Sequence, residues 1–530
     1  MRPGSTGVTS SLTPQTGTTR AYGTYALGLL ALLNLLSYVN RNVLFALVLP
    51  VELDLHLTDT DIGWIASAFV LLFSIAVFPF GVLSDLRSRR AVAGVGVVLW
   101  SAFAFLAGFS RGFWSLFLTR ASVGIGAAAF AAAAASLVAD YFPGPRRALA
   151  MGVFSAGIPI GGVLGLALGG QLEALYGWRI AMMGVAVPGL VLAGLVFRLT
   201  DPSRPPPELT VRQYWRRLEL GVSGVLRVSW PLLSGAAAGG LAAWLLDRRY
   251  GAGSSLDIAA LATGVGLGLA GNLWIVVRRL RRSDGSFDFT PADSVNDALS
   301  EMRLAVDTVL RTPTLKYIFV GGALVSFGVN GIVGWAPTFM ARTLGLSVAQ
   351  GTFLFGKWGL LSGTAGTLAG GVIADWLGRF TGRGRMLVSA LGFLIGGPLA
   401  VWLLGIRDLQ LFVPVFVAAF FFLTLYNGPV IAAVFDVAPA RIGATVVGAY
   451  LLFIHVAGDA IALPLVGFLS DRFGIDRAIF VLPSASLLGG IVLFLGVLTV
   501  ERDMAYVLMR TTAAHPVVLP GQQGSGATGQ

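Results

Sequence analysis

About fourteen runs of apolar residues divide this chain, each near the roughly 20 residues a helix needs to cross a bilayer core. They cover 25–50, 62–83, 91–110, 114–139, 148–172 and 179–199, then 230–247 and 256–277, then 315–341, 349–373, 386–406, 411–434, 443–469 and 477–499. Barrel strands would alternate polar and apolar residues over about ten positions, and these runs do not. Of the 530 residues, 55% are hydrophobic and 12% charged, against about a quarter charged in soluble domains. The chain reads as a polytopic α-helical membrane protein.

Several functions fall away on composition. With no cysteine, disulfides, thiolate metal sites and cysteine nucleophiles are excluded. His56, His455 and His515 are the only histidines and stand far apart, so no metal site is expected. No G-x-x-x-x-G-K-[ST] loop occurs, which argues against an ATP-driven pump. Neither an enzyme nor a cofactor is expected.

The formal net charge of +11 would suggest nucleic acid in a soluble chain. Here the arginines crowd alternate short loops: Arg87, Arg89 and Arg90, then Arg146 and Arg147, later Arg278 to Arg282, and Arg379, Arg383 and Arg385. Opposite loops hold few, so the positive-inside rule places both termini in the cytoplasm. Two lysines against many arginines, with abundant Ala and Gly, suggest a GC-rich bacterial genome and hence an inner-membrane location. The expected organisation is a tail (1–24), a six-helix bundle (25–199), a central linker (200–314), a second bundle (315–499) and a tail (500–530). The linker carries an inserted hairpin at 230–277. Two extra spans preserve the orientation of everything downstream, where one would invert it. Arg248 and Arg249 fall on the outer side of that hairpin, so a re-entrant form is an alternative.

A duplication is visible. "GVLSDLRSRR" (81–90) is echoed by "GVIADWLGRF" (371–380), and "DYFPGPRRALAMGVF" (140–154) by "DVAPARIGATVVGAY" (436–450). Internal repeats of this kind build rocking transporters, with the binding site between the halves. The first stretch resembles the signature of the major facilitator superfamily, between spans two and three. "RASVGIG" (120–126) resembles its fourth-helix motif and "SAGIPIGG" (155–162), loosely, its fifth-helix motif. The resemblance implies two six-helix bundles and alternating access. It also implies gating roles for Gly81, Asp85, Arg89, Arg90, Asp140 and Arg146 in the first half, and for Asp375, Arg379, Asp436 and Arg441 in the second. Asp85 is expected to dock on a helix N-terminus, where the dipole favours negative charge, and Arg89 and Arg90 to pair with carboxylates such as Asp140.

A narrower resemblance rests on "NLLSYVNRNVLFALVLP" (34–50), "WAPTFMARTLGLS" and above all residues 427–471. These resemble the Spinster family, whose animal members export lysolipids and sphingolipid-type molecules. Two positions depart from it. Asn40 stands where the family has an acid before the first-helix arginine, and Ala127 where it has a fourth-helix glutamate, so family-style proton coupling is in doubt.

Charge inside a span costs from about 3 to over 10 kcal/mol and normally faces a cavity or pathway. The candidate substrate-binding or coupling residues are therefore Asn34, Asn40, Arg41, Arg120, Lys357, Asn427, His455 and Asp459. Arg41 is expected to be compensated by the substrate's negative group, with Asn34 and Asn40 as hydrogen-bond partners and Arg120 opposite. Competing readings make Arg120 a structural link to backbone groups and Lys357 a snorkelling surface residue. The expected function is a transporter of an organic or amphipathic anion, working as an exporter driven by the membrane potential, with Asp459 and His455 as rival proton carriers. The alternative is a proton-coupled exporter of hydrophobic or cationic drugs. Expected partners are a small-molecule or lipid substrate, the bilayer and, under the rival reading, protons, with the protein a monomer.

Overall fold

A computed structural model describes residues 20–201 and 304–514, except 87, 143–145, 440 and 441, with isolated positions between 234 and 271. The inserted hairpin at 230–277 lies almost wholly outside the described residues, as does Arg441. Every regular element described is helical. The first half comprises α1 (Arg20–Ala46), α2 (Val48–Leu55), α3 (Asp59–Leu86), α4 (Arg89–Ala107), α5 (Phe113–Tyr141) and α6 (Arg147–Phe197). The second comprises α7 (Pro313–Leu344), α8 (Val348–Gly378), α9 (Gly384–Gly405), α10 (Leu409–Thr424), α11 (Asn427–Val437) and α12 (Gly443–Ile454). A π-helical turn, His455–Asp459, follows, then α13 (Ala460–Phe473), α14 (Ile475–Ala478), α15 (Val481–Val497) and α16 (Val500–Ala514).

Ten described helices are long and apolar enough to cross a membrane. The stretch Leu149–Phe197 supplies two spans, because Gly177 (φ 79°, ψ 164°) breaks it. With α8, at 31 residues, the described chain forms two bundles of six spans. Local chemistry sets the ends. α7 starts with Pro313 in its first turn and stops at Gly345, whose φ of 67° suits a residue without a Cβ. Ser347 and Gln350 form a reciprocal capping box at the start of α8, and the Asp408 carboxylate accepts from Gln410 N–H at the start of α10.

The duplication reappears as paired ion bridges. Arg89 on α4 meets Asp140 on α5, and Arg385 on α9 meets Asp436 on α11. Each pair spans 51 positions, and the second repeats the first 296 positions later. Each bridge ties two helices within its own half.

The halves meet mainly where α3 lies along α13 and α6 along α8. Glycine makes the first contact possible. A Cβ on Gly63 of α3 would stand 2.5 Å from the Leu463 carbonyl oxygen, and one on Gly467 of α13 would strike the Asp59 backbone.

Candidate functional site

Between the halves lies a cavity of about 510 Å³. Its walls are mostly aromatic and aliphatic, with Tyr38, Phe45, Phe73, Phe355 and Phe420 among them. Four of the charged or polar residues singled out from the sequence also line it: Arg41, Asn427, His455 and Asp459. Cavities of this kind, largely apolar with a few placed polar groups, are typical of ligand sites.

Asp459 is the centre of the polar cluster and is almost fully buried. The Ser326 hydroxyl donates to its Oδ1, as does Asn330 Nδ2 at 3.0 Å. His455 Nδ1 lies 2.7 Å from Oδ2. Arg41 Nη2 stands 3.9 Å from the same Oδ2, across the boundary between the halves. That separation is an ion pair without a hydrogen bond. The Arg41 guanidinium otherwise rests on the faces of Phe69 and Tyr38, 5.5 and 5.8 Å from the ring centres. Among the described residues it donates no side-chain hydrogen bond, and it is 20% exposed.

The π-helical turn is why Asp459 reaches this position. Its wider turn shifts the helix face by about one residue, a local irregularity that recurs at functional sites. The turn carries the His455–Asp459 pair and aims Asp459 at Ser326 and Asn330 on α7. Those two polar residues, four apart in an otherwise apolar run, belong to the cluster and were absent from the sequence-derived candidates.

Most of the remaining candidates lie away from the cavity. Arg120 is 1% exposed, and its two terminal nitrogens donate to the carbonyls of Asn40 and Arg41, each at 2.9 Å. It braces the α1 backbone from behind the cavity wall. Asn40 Nδ2 donates to the carbonyls of Leu36 and Val185, and Asn34 Nδ2 to that of Phe154. Both are buried in the first bundle, with Asn40 turned from the cavity toward α6. Lys357 is exposed, its ammonium 4.7 Å from the Trp358 ring centre, and it does not line the cavity. Asn427 donates to Thr367 Oγ1 at 3.0 Å on the cavity wall. Of the gating set, Arg89 and Asp140 are paired, Arg90 donates to the Leu199 carbonyl at 2.9 Å, and Arg146, Asp375 and Arg379 are exposed.

A second polar cluster, unanticipated from the sequence, ties the halves at the end opposite the arginine-rich loops. Arg342 of α7 reaches Glu52 Oε2 at 2.5 Å and Asp59 Oδ2 at 2.7 Å. Ser470 also donates to Asp59 Oδ2. The Asp471 carboxylate accepts from the backbone N–H of Asp59 and Thr60, both at 2.9 Å. It thereby caps α3 from the other half, where free N–H groups favour an anion.

A model of the Major Facilitator Superfamily matches residues 30–462. The frog Xenopus tropicalis "Sphingosine-1-phosphate transporter SPNS2" is 24% identical over 464 residues, 84% of this chain and 73% of that protein. An "MFS-type efflux pump" of Mycolicibacterium smegmatis is 25% identical over 488 residues, 90% of this chain and 94% of the pump. The zebrafish "Protein spinster homolog 3" is 32% identical over 197 residues, only 36% of this chain and 40% of that protein. Among solved structures, a bacterial homolog of the human lysosomal transporter Spinster, inward-facing and unoccupied, superposes with a TM-score of 0.69. It is 19% identical and covers 92% of this chain and 99% of its own. Two six-span bundles, an ion bridge repeated in each, a cavity at their junction and a family match over most of the length converge: the chain belongs to the Major Facilitator Superfamily.

Proposed function

We propose that this transporter moves an amphipathic anion, with the headgroup at Arg41 and the tail along the aromatic wall of Phe45, Phe73, Phe355 and Phe420. One observation carries the reading. Arg41 is held in the cavity wall by a single carboxylate at 3.9 Å and by ring faces, so its donors are available to a second anion. A lysolipid-like phosphate or carboxylate supplies that anion and an apolar tail together. The frog relative named for sphingosine-1-phosphate has a substrate of this type.

Membrane-potential-driven movement of a lone anion assumed that Arg41 lacked a protein counter-ion. With Asp459 present, the empty cluster pairs one positive with one negative charge. An anion arriving at Arg41 displaces that balance, and a proton taken up by Asp459, beside His455, restores it. Anion and proton binding then favour each other, and the loaded site moves without net charge. Net flux follows the combined substrate and proton gradients. An amphiphile made inside the cell leaves while its own gradient exceeds that of the proton. The positive-inside rule supports the Arg89 and Arg385 end as the cytoplasmic one. Gly81 and Gly371 at that end would meet no neighbouring atom if given a Cβ, while the opposite end is bridged, which supports a cavity facing inward.

The test is flux from sealed vesicles with potential and pH gradient imposed separately. A pH gradient should drive transport, a potential alone should not, and Arg41→Ala should abolish anion binding. Potential-driven flux that survives Asp459→Asn would instead support movement of the anion alone down the membrane potential. The match to a mycobacterial efflux pump and the largely apolar walls favour a second reading, a proton-coupled drug exporter. A cationic drug would pair with Asp459, so its binding should survive Arg41→Ala and be lost in Asp459→Asn.

A further inference from the structure

The cluster at the outer end lacks one hydrogen. Arg342 engages Glu52 Oε2 and Asp59 Oδ2. The other oxygen of each carboxyl, Glu52 Oε1 and Asp59 Oδ1, is buried and has no hydrogen-bond partner. The two carboxyls lie within hydrogen-bonding reach of each other. Buried polar oxygens are almost always satisfied, and no described side-chain or backbone donor fills this gap. A proton held between the two carboxyls supplies the donor that this cluster lacks.

We propose that Glu52 and Asp59 form a second proton-binding site, separate from Asp459, which is occupied when the outer end is closed and emptied when it opens. The charged groups facing Glu52 are Asp59 on α3, Arg342 on α7 and Asp471 next to Ser470 on α13. Three carboxylates around one guanidinium leave a net charge of −2 if all are ionised, and one shared proton reduces it to −1. Burial, followed by the neighbouring Asp59, pushes the Glu52 carboxyl from 4.5 up to about 9.

Every contact in the cluster except the shared proton joins one half to the other. When the halves part, Glu52 meets water and loses the burial that is the largest cause of its raised pKa; this outweighs the loss of Arg342, and the carboxyl falls toward the ordinary range and releases its proton to the outer solution. The closed form therefore binds more protons than the open form at any pH between about 4.5 and about 9. Within that window acid favours closure, and each unit rise in pH favours opening by up to about tenfold, the limit for one linked proton. This inference goes beyond the substrate reading, and no substrate enters its test.

The absence of cysteine makes the measurement direct. Leu53 and Phe473, both exposed near the cluster on opposite halves, are replaced by cysteine and spin-labelled, and their distance distribution is recorded in nanodiscs from pH 5 to 9. The population with the longer distance should rise with pH. Glu52→Gln, whose amide supplies the missing donor, should hold the end closed and flatten that dependence. Asp459→Asn should leave the dependence in place. If Glu52→Gln is not monodisperse, Asp59→Asn supplies a donor from the other side and must flatten it equally. An unchanged slope in either carboxamide variant, a slope abolished by Asp459→Asn, or opening that increases in acid overturns the proposal.

Discussion

Neutralising Asp459 should tighten the binding of an anionic amphiphile. Asp459→Asn keeps the side chain's size and an oxygen for Ser326 and Asn330, and removes the negative charge 3.9 Å from Arg41. Two unit charges at that separation interact by about 4 kcal/mol at an effective dielectric of 20. Arg41 is one-fifth exposed to a cavity that solvent can enter, and screening there leaves about 1–2 kcal/mol of that competition. Removing it should lower the Kd of the anion by a factor of about 5–30. Calorimetric titration with an alkyl sulfate, whose headgroup does not titrate, reads this directly. The variant should bind the sulfate more tightly than the wild type. The matching alkyl alcohol should not distinguish the two proteins. Weaker sulfate binding by a well-folded variant, or an equal gain for the alcohol, would refute competition for Arg41.

Other outcomes follow from the same geometry. Arg89 is 5% exposed beside Asp140, whereas Arg385 is 37% exposed beside Asp436. Losing a partner from a buried pair costs about 3–5 kcal/mol and from an exposed pair at most about 1, so Arg89→Ala should lower Tm clearly more than Arg385→Ala in thermal unfolding. Gly63→Val places side-chain atoms against the backbone of Leu463 and Pro464. It should wedge apart the end opposite the arginine-rich loops and raise labelling of a cysteine introduced at Phe45, and unchanged labelling would count against α3–α13 contact as the closure surface. Arg120→Met removes two donors to the α1 carbonyls; at about 1.5–3 kcal/mol for each hydrogen bond to a charged group, it should destabilise strongly even with substrate absent, which a detergent melting curve would show.

Composition and span length suffice for the class, and the echo between Asp140 and Asp436 marks two equivalent positions in the sequence, though the partner of Asp436 in the second half, Arg385, is not among the sequence-derived gating residues. His455 and Asp459 are legible as a pair because they lie four apart in one run. Arg41's counter-ion is not legible. It depends on the azimuth of two helices from different halves and on a π-helical turn that moves Asp459 off the regular helical count. Lys357 fails for the same reason: a lone cation in a span does not say which face it occupies, and this one faces outward. The Arg342 cluster joins the halves through residues separated by 283–412 positions, and nothing local to Glu52 or Asp471 marks them as neighbours. Arg120 resembles Arg41 in sequence, yet its near-total burial makes it a brace for backbone carbonyls.

The glycine contacts between α3 and α13 bear on how fast the protein cycles. A side chain entering an interdigitated interface surrenders rotamer freedom of up to about 2 kcal/mol, and glycine surrenders none. Where Gly63 and Gly467 bring backbone against backbone, the halves can part and rejoin as smooth surfaces, with no rotamers to be reset. The temperature dependence of closure at this end should then be governed by the enthalpy of a few exchangeable polar bonds, and turnover should slow on cooling as those bonds become harder to break.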